Sequence, residues 1–65
     1  MKVIYDPEKD VLSILLSTAP IEESDQDKAG IILDYDQEGN LLGLEITEAS
    51  LRVENPRSLE YAVRS

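Results

Sequence analysis

The side chains in this sequence that could do chemistry are almost all carboxylates. There is no His and no Cys among the 65 residues, so a Ser-His-Asp triad, a thiolate nucleophile and a Cys/His zinc site are all excluded. Any general acid or base would be Asp, Glu, Tyr or Lys. The tightest constellation is Asp34, Asp36, Glu38, Gly39 and Glu45, which fall at positions 1, 3, 5, 6 and 12 of an EF-hand calcium loop, with Leu41 at the apolar position 8. Such a loop needs a helix on each side. Here Gly30-Ile31-Ile32-Leu33 precedes it and Leu42 to Ile46 follows, and both read as strand. In the hairpin register drawn below, Asp34 and Asp36 share a face while Glu45 points to the other. The reading is therefore a solvated hairpin turn with no metal and no cofactor, Asp34, Asp36, Glu38 and Glu45 remaining the candidates should a divalent ion bind.

Asp34 has a second reading as a base of raised pKa, since it is the one acid among Ile32, Leu42, Leu44 and Ile46. Pairing at a sheet margin is the commoner fate of such a residue. Tyr5 and Tyr35 hold equivalent places and could flank a ligand, but read better as core or interface aromatics with wet hydroxyls. The acidic run Glu22 to Asp27 reads as solvated surface, or else as a docking strip for a basic partner.

Two repeated hairpins would position these groups. Val3-Ile4-Tyr5 is a β-prone run; Asp6-Pro7-Glu8-Lys9-Asp10 supplies turn chemistry, because Asp suits the first position of a type I turn and Pro the second. Val11 to Ser17 then alternates, with Leu12, Ile14 and Leu16 on one side. The same grammar returns 30 residues later: Ile31 to Tyr35, a turn at Asp36-Gln37-Glu38-Gly39-Asn40, and a second strand Leu41 to Thr47. Gly39 marks a three-residue loop closed by a residue of positive φ. If Asp36 faces Asn40, then Tyr35 faces Leu41 and Leu33 faces Gly43. One face then carries Ile31, Leu33, Tyr35, Leu41 and Glu45, and the other Ile32, Asp34, Leu42, Leu44 and Ile46. Both are largely apolar, so each demands a cover.

The predicted fold is α+β and β-rich: one antiparallel four-stranded sheet of two hairpins with a short C-terminal helix. The chain divides into hairpin 1 (1–17), an acidic connector (18–30), hairpin 2 (31–47) and a tail (48–65), all one domain. The connector reads as loop, or as a short edge strand around Ile21 to Ser24. In the tail, Asn55-Pro56 signals a helix start, and Leu59, Ala62 and Val63 form an apolar stripe, giving a helix over about 56–64. An earlier helical turn could run from Thr47-Glu48-Ala49-Ser50 to Val53.

A 65-residue domain buries too little surface to be comfortable alone, and usually needs a staple. With disulfides and zinc ruled out, the remaining staple is another subunit. The formal charge is −8. Residues 1–50 carry 12 acids and three lysines, and residues 51–65 carry three arginines and two acids. A surface so acidic repels phosphate backbones, which argues against nucleic acid. No stretch approaches the ~18 apolar residues of a membrane span, Met1-Lys2-Val3 opens onto a strand pattern rather than a signal-peptide core, and the lack of Cys suits a reducing compartment. A cytoplasmic location is expected.

The strings YDPEKDVLSILLS and GIILDYDQEGNLLGLEITEAS resemble domain of unknown function 2283, a small prokaryotic family. Its members look like Y-D-P-E-x-D-x-L-x-I-x-L, an acidic connector, then G-[VI]-[IV]-x-D-Y-D-x-x-G-x-[LI]-x-G-[IL]-E-[IL], ending near A-S. The resemblance covers Met1 to Ser50 and is silent on the tail. It implies a compact β-rich domain in a prokaryotic cytoplasm, sometimes encoded beside small toxin-like genes, and it supplies no catalytic residues.

The functional expectation is a non-catalytic interaction module, a homodimer, and by that resemblance an antitoxin-like acidic partner of a small basic protein. Its interface candidates are Tyr5, Leu33, Tyr35, Leu41, Leu59 and Val63. The alternative is a small ligand- or divalent-metal-binding domain using the acidic turn. An enzyme ranks last, because so short a chain has little room for a pocket of ~300 Å³.

Overall fold

The structure is a computed structural model describing residues 1–65. Its elements are β1 (Lys2–Asp6), β2 (Val11–Leu15), β3 (Glu23–Lys28), β4 (Ile31–Tyr35), β5 (Leu41–Thr47) and a one-turn helix α1 (Ala49–Arg52). The strands form one sheet in the order β1-β2-β5-β4-β3, antiparallel throughout.

Both expected hairpins form. In the first, Asp6 Oδ1 accepts the N–H groups of Glu8 and Lys9 at 3.0 and 3.2 Å, the Asx-type bonding that makes Asp a turn residue. In the second, Gly39 takes φ 83°, and the Asp36 N–H donates to the Asn40 carbonyl at 3.0 Å. The second strands of the two hairpins meet at the centre of the sheet. Ile14 there pairs with Leu44, its equivalent in the repeat.

The sheet has five strands, not four. The acidic connector supplies the fifth: Glu23–Lys28 pairs with β4 along its length, Glu23 opposite Tyr35 and Lys28 opposite Ile31. Its extent goes beyond the short edge strand around Ile21 to Ser24. All six of its residues are exposed. An edge strand needs only backbone bonds on one side, and its charges discourage further pairing on the other.

The expected register of hairpin 2 holds at the turn and fails beyond it. Tyr35 does face Leu41, but Leu33 faces Leu44 and Asp34 faces Gly43, because the pairing slips by one residue between Asp34 and Tyr35. Leu42 is the extra residue of this bulge. Such a slip moves every side chain beyond it to the other face. The faces therefore regroup, since residues directly opposite one another share a side. One side holds the rows Val3–Ile14–Leu44–Leu33 and Tyr5–Leu12–Ile46–Ile31. The other holds Ile4–Ser13–Glu45–Ile32–Gln26 and Lys2–Leu15–Gly43–Asp34–Ser24. The expectation of two apolar faces is overturned: one face is apolar and the other mixed.

No helix spans 56–64. α1 is the only helix, and it is the earlier turn, ending where Val53 N–H bonds to the Ala49 carbonyl at 2.9 Å. Asn55 does bond the Arg57 N–H through Oδ1, but it does so at φ 45° within an isolated turn. A stripe of only three apolar residues cannot hold two turns of helix without docking, and Leu59, Tyr61 and Val63 are 69, 71 and 79% exposed.

The molecule is a single layer of sheet, 35 × 33 × 19 Å in extent. Only four of its 65 residues are buried: Asp34, Leu42, Gly43 and Ala49. None belongs to the two apolar rows. No helix is long and apolar enough to cross a membrane.

Candidate functional site

The apolar face is built by strand periodicity. Every second residue of β1, β2, β4 and the end of β5 points to it, which gathers two rows of four large apolar side chains. Each of the eight is only half-buried. The tail touches one end of this face: Pro56, Arg57 and Leu59 join Val3, Tyr5 and Leu12 around a cleft of about 340 Å³. The Arg57 guanidinium carbon stands 5.7 Å from the centroid of the Tyr5 ring, within cation–π range. The rest of the face, toward Ile31 and Leu33, lies beyond that cleft.

Tyr5 anchors this end. Its hydroxyl donates to Asp10 Oδ1 at 2.8 Å, which pushes the phenol above its usual 10.0. The same Asp10 carboxylate accepts the Ser50 N–H at 3.0 Å and the Ser50 hydroxyl at 2.6 Å. Those bonds, Ser50 first and Tyr5 next, hold Asp10 below the ordinary carboxylate range. The sheet end, the first turn and α1 are thus tied at one point.

The acidic loop does not assemble an ion cage. Asp36 is committed to its own turn: Oδ1 accepts the N–H groups of Glu38 and Asn40 at 2.9 and 2.8 Å, and Oδ2 accepts the Asn40 amide at 3.0 Å. The Asn40 contacts dominate the lowering of its pKa. Glu38 is exposed. Asp34 and Glu45 share the mixed face, a reversal of the expected placement that follows from the bulge at Leu42. Asp34 is 4% exposed and accepts the Ser24 hydroxyl at 2.6 Å. Burial first, then the hydrogen bond and charge of Asp34, push Glu45 above its ordinary 4.5. No three of the acids converge in a geometry that would hold a metal ion. Beside this pair, Leu15, Ile21, Leu42 and Asp34 line an open groove of about 690 Å³.

The interface candidates divide. Leu33 lies in the apolar rows and Tyr5 at their end, in the same cleft as Leu59. Tyr35 and Leu41 pair at the far end of hairpin 2, where Leu41 is 39% exposed. Val63 is on the exposed tail. The face also includes Ile14, Ile31, Leu44 and Ile46, which sequence reasoning did not group together. Alternation within each strand was visible; the bulge that sets Leu44 and Ile46 beside Leu33 and Ile31 was not.

A single-layered five-stranded antiparallel sheet, carrying one unburied apolar face and a one-turn helix, defines the class of this protein. Residues 2–50 match the model of the family described as "Protein of unknown function (DUF2283)", and the chain belongs to that family. The match takes in the whole sheet and ends inside α1, leaving the tail outside. No curated protein and no solved structure gave a significant match.

Proposed function

We propose that this protein is a non-catalytic interaction module that works as a homodimer, joined through its apolar sheet face. The observation that carries the reading is the burial pattern: Leu42 and Ala49 are the only buried apolar side chains, while eight others stand side by side half-covered. A sheet with one apolar face is stable when another layer packs on it, and a second copy brings an identical, self-complementary face. Within this reading the protein acts in a prokaryotic cytoplasm, with which a Cys-free composition is compatible. Sedimentation equilibrium from micromolar to millimolar concentration tests it. The expected mass is twice the 7.3 kDa of the chain; a 7.3 kDa species across that whole range rejects the reading.

A second reading is favoured by β3. Its exposed sequence Glu-Ser-Asp-Gln-Asp-Lys lies on the sheet edge, where an acidic strip would draw a basic protein, as an antitoxin-like role requires. Co-purification with the product of the adjacent gene at low salt tests this, and a clean failure to bind removes it.

A further inference from the structure

We propose that the dimer is completed by exchange of the C-terminal arms. Residues 60–64 of each copy, beyond the Leu59 that lines the cleft on its own sheet, lie on the apolar sheet face of the other, with Tyr61 and Val63 against Ile31 and Leu33. This inference rests on the homodimer reading and goes beyond it by naming the segment that covers the face.

The arm has the pattern of a strand. Leu59, Tyr61 and Val63 recur at every second residue, so in an extended chain they share one side, and Glu60 and Arg64 lie on the other. The structure holds this segment without helix, and all three side chains are at least 69% exposed. An extended arm with one apolar side is complementary in character to an apolar sheet face.

Area gives the second argument. Four strands at ~4.8 Å spacing, each ~17 Å long, make an apolar footprint of ~330 Å² per copy. Two such faces pressed together reach ~650 Å², about two-fifths of a standard stable interface. The Tyr61 of each arm buries ~150–250 Å², and with Val63 beside it the two arms supply a substantial part of the shortfall. The faces alone make a weak dimer; arms over the Ile31–Leu33 end of each face, with the sheets meeting over the remainder, make a stronger one.

Charge gives the third. Arg57 and Arg64 against Glu60 leave residues 55–65 at +1, and the other 54 residues hold the remaining −9 of the chain's −8. Two strongly acidic bodies repel when brought together. The arm is the one part of opposite sign, and laying it on the partner brings Arg64 toward the acidic strand β3.

The sequence has no cysteine, which makes the test clean. Leu33→Cys and Tyr61→Cys, each as a single-cysteine variant, are mixed and oxidised. A disulfide between the two different variants can form only across chains and is the expected product; Ile32→Cys, on the opposite face, should give none with Tyr61→Cys. The double variant Tyr61→Ser/Val63→Ser, which leaves Leu59 in its own cleft, should weaken dimerisation by at least about 100-fold. If it dimerises as tightly as the native chain, arm exchange is wrong while the sheet-face dimer stands. If the Leu33→Cys/Tyr61→Cys double variant closes only within its own chain, the arm covers its own sheet and exchange is again wrong. A native chain that stays monomeric overturns both.

Discussion

The Ser50 hydroxyl donates to Asp10 Oδ2 at 2.6 Å, joining two residues forty positions apart and fastening α1 to the turn of the first hairpin. The Ala49 N–H adds a bond to the Asp10 carbonyl at 2.9 Å. A single turn of helix has no stability of its own, so α1 exists because Asp10 and the buried Ala49 hold it against the sheet.

That contact sets a pH dependence. Asp10 is held below its ordinary 3.8, chiefly by Ser50 and then Tyr5. A carboxyl lowered in the folded state contributes stability above its unfolded pKa and loses it as pH falls through the folded value. Asp10→Asn should therefore melt below the native chain at about pH 6, with the gap closing as pH approaches about 2. Circular dichroism melts at several pH values check this; a gap that stays constant across the range would show that the charge is not what matters.

Glu45 should behave in the opposite sense. Burial and Asp34 raise it above 4.5, so its contribution is full below that value and is lost as pH rises through the folded one. At neutral pH its ionised form opposes folding. Glu45→Gln is expected to raise the melting temperature at about pH 7 and to leave it nearly unchanged at about pH 4. A variant less stable at pH 7 would mean that the carboxylate makes a favourable contact there.

How much of this could be read from residues alone follows from which forces are local. Asp6-Pro7 and Gly39 specify their turns through backbone preferences carried in a few residues, and alternation in Val11 to Leu15 marks a strand wherever it sits. The bulge at Leu42 is decided by pairing between strands, which no single strand displays, and it turned one correct turn register into a wrong pair of faces. β3 has no apolar side at all; its order comes from the backbone of β4 and from the Ser24 hydroxyl bonded to Asp34. In the arm, Leu59, Ala62 and Val63 fit a helix while Leu59, Tyr61 and Val63 fit a strand, and only packing chooses between the two. Of the candidate site, Tyr5, Leu33 and Leu59 were legible, because each is apolar in its own element. Ile31 shares a side with Leu33 by alternation alone, whereas Ile14, Leu44 and Ile46 join them only through the register.

Glycine substitutions should separate backbone strain from steric conflict. A Cβ on Gly43 would stand 2.6 Å from the Ile14 carbonyl oxygen, whereas one on Gly39 meets nothing within 4 Å. Gly39→Ala should cost about 1–2 kcal/mol for placing a side chain at positive φ. Gly43→Ala must push β2 from β5 at the centre of the sheet, with overpacking costs of about 1–3 kcal/mol or more. Chemical denaturation of both variants is expected to rank Gly43→Ala as the more damaging; the reverse order would mean that the central strands can part without penalty.

Calcium should have no effect. The Asp36 carboxylate already accepts three hydrogen bonds within its turn, and freeing it would unmake that turn. Ligand at 100 times its dissociation constant would add about 2.7 kcal/mol of stability. Thermal melts with and without calcium at about 1 mM, enough to saturate a site of ~10 μM affinity, are expected to superimpose. A rise of several degrees would restore the acidic loop as an ion site.

Neighbouring residues on opposite faces give the sharpest test of how the molecule associates. Ile32 and Leu33 are adjacent and both half-buried, yet Leu33 faces Leu44 on the apolar side and Ile32 faces Glu45 on the mixed side. Both substitutions to Ser remove a large, half-buried apolar side chain from the same strand, so their direct costs to folding are similar, below the ~1.5–3 kcal/mol of full burial. Their effects on association should differ. For a chain whose folding is linked to dimerisation, the melting temperature rises with protein concentration. Native chain and Ile32→Ser should both show that rise, and Leu33→Ser should melt at a temperature independent of concentration. If Ile32→Ser removes the dependence and Leu33→Ser keeps it, the contact between copies lies on the mixed face, at the groove beside Asp34, and the apolar rows must be covered by something other than a second copy.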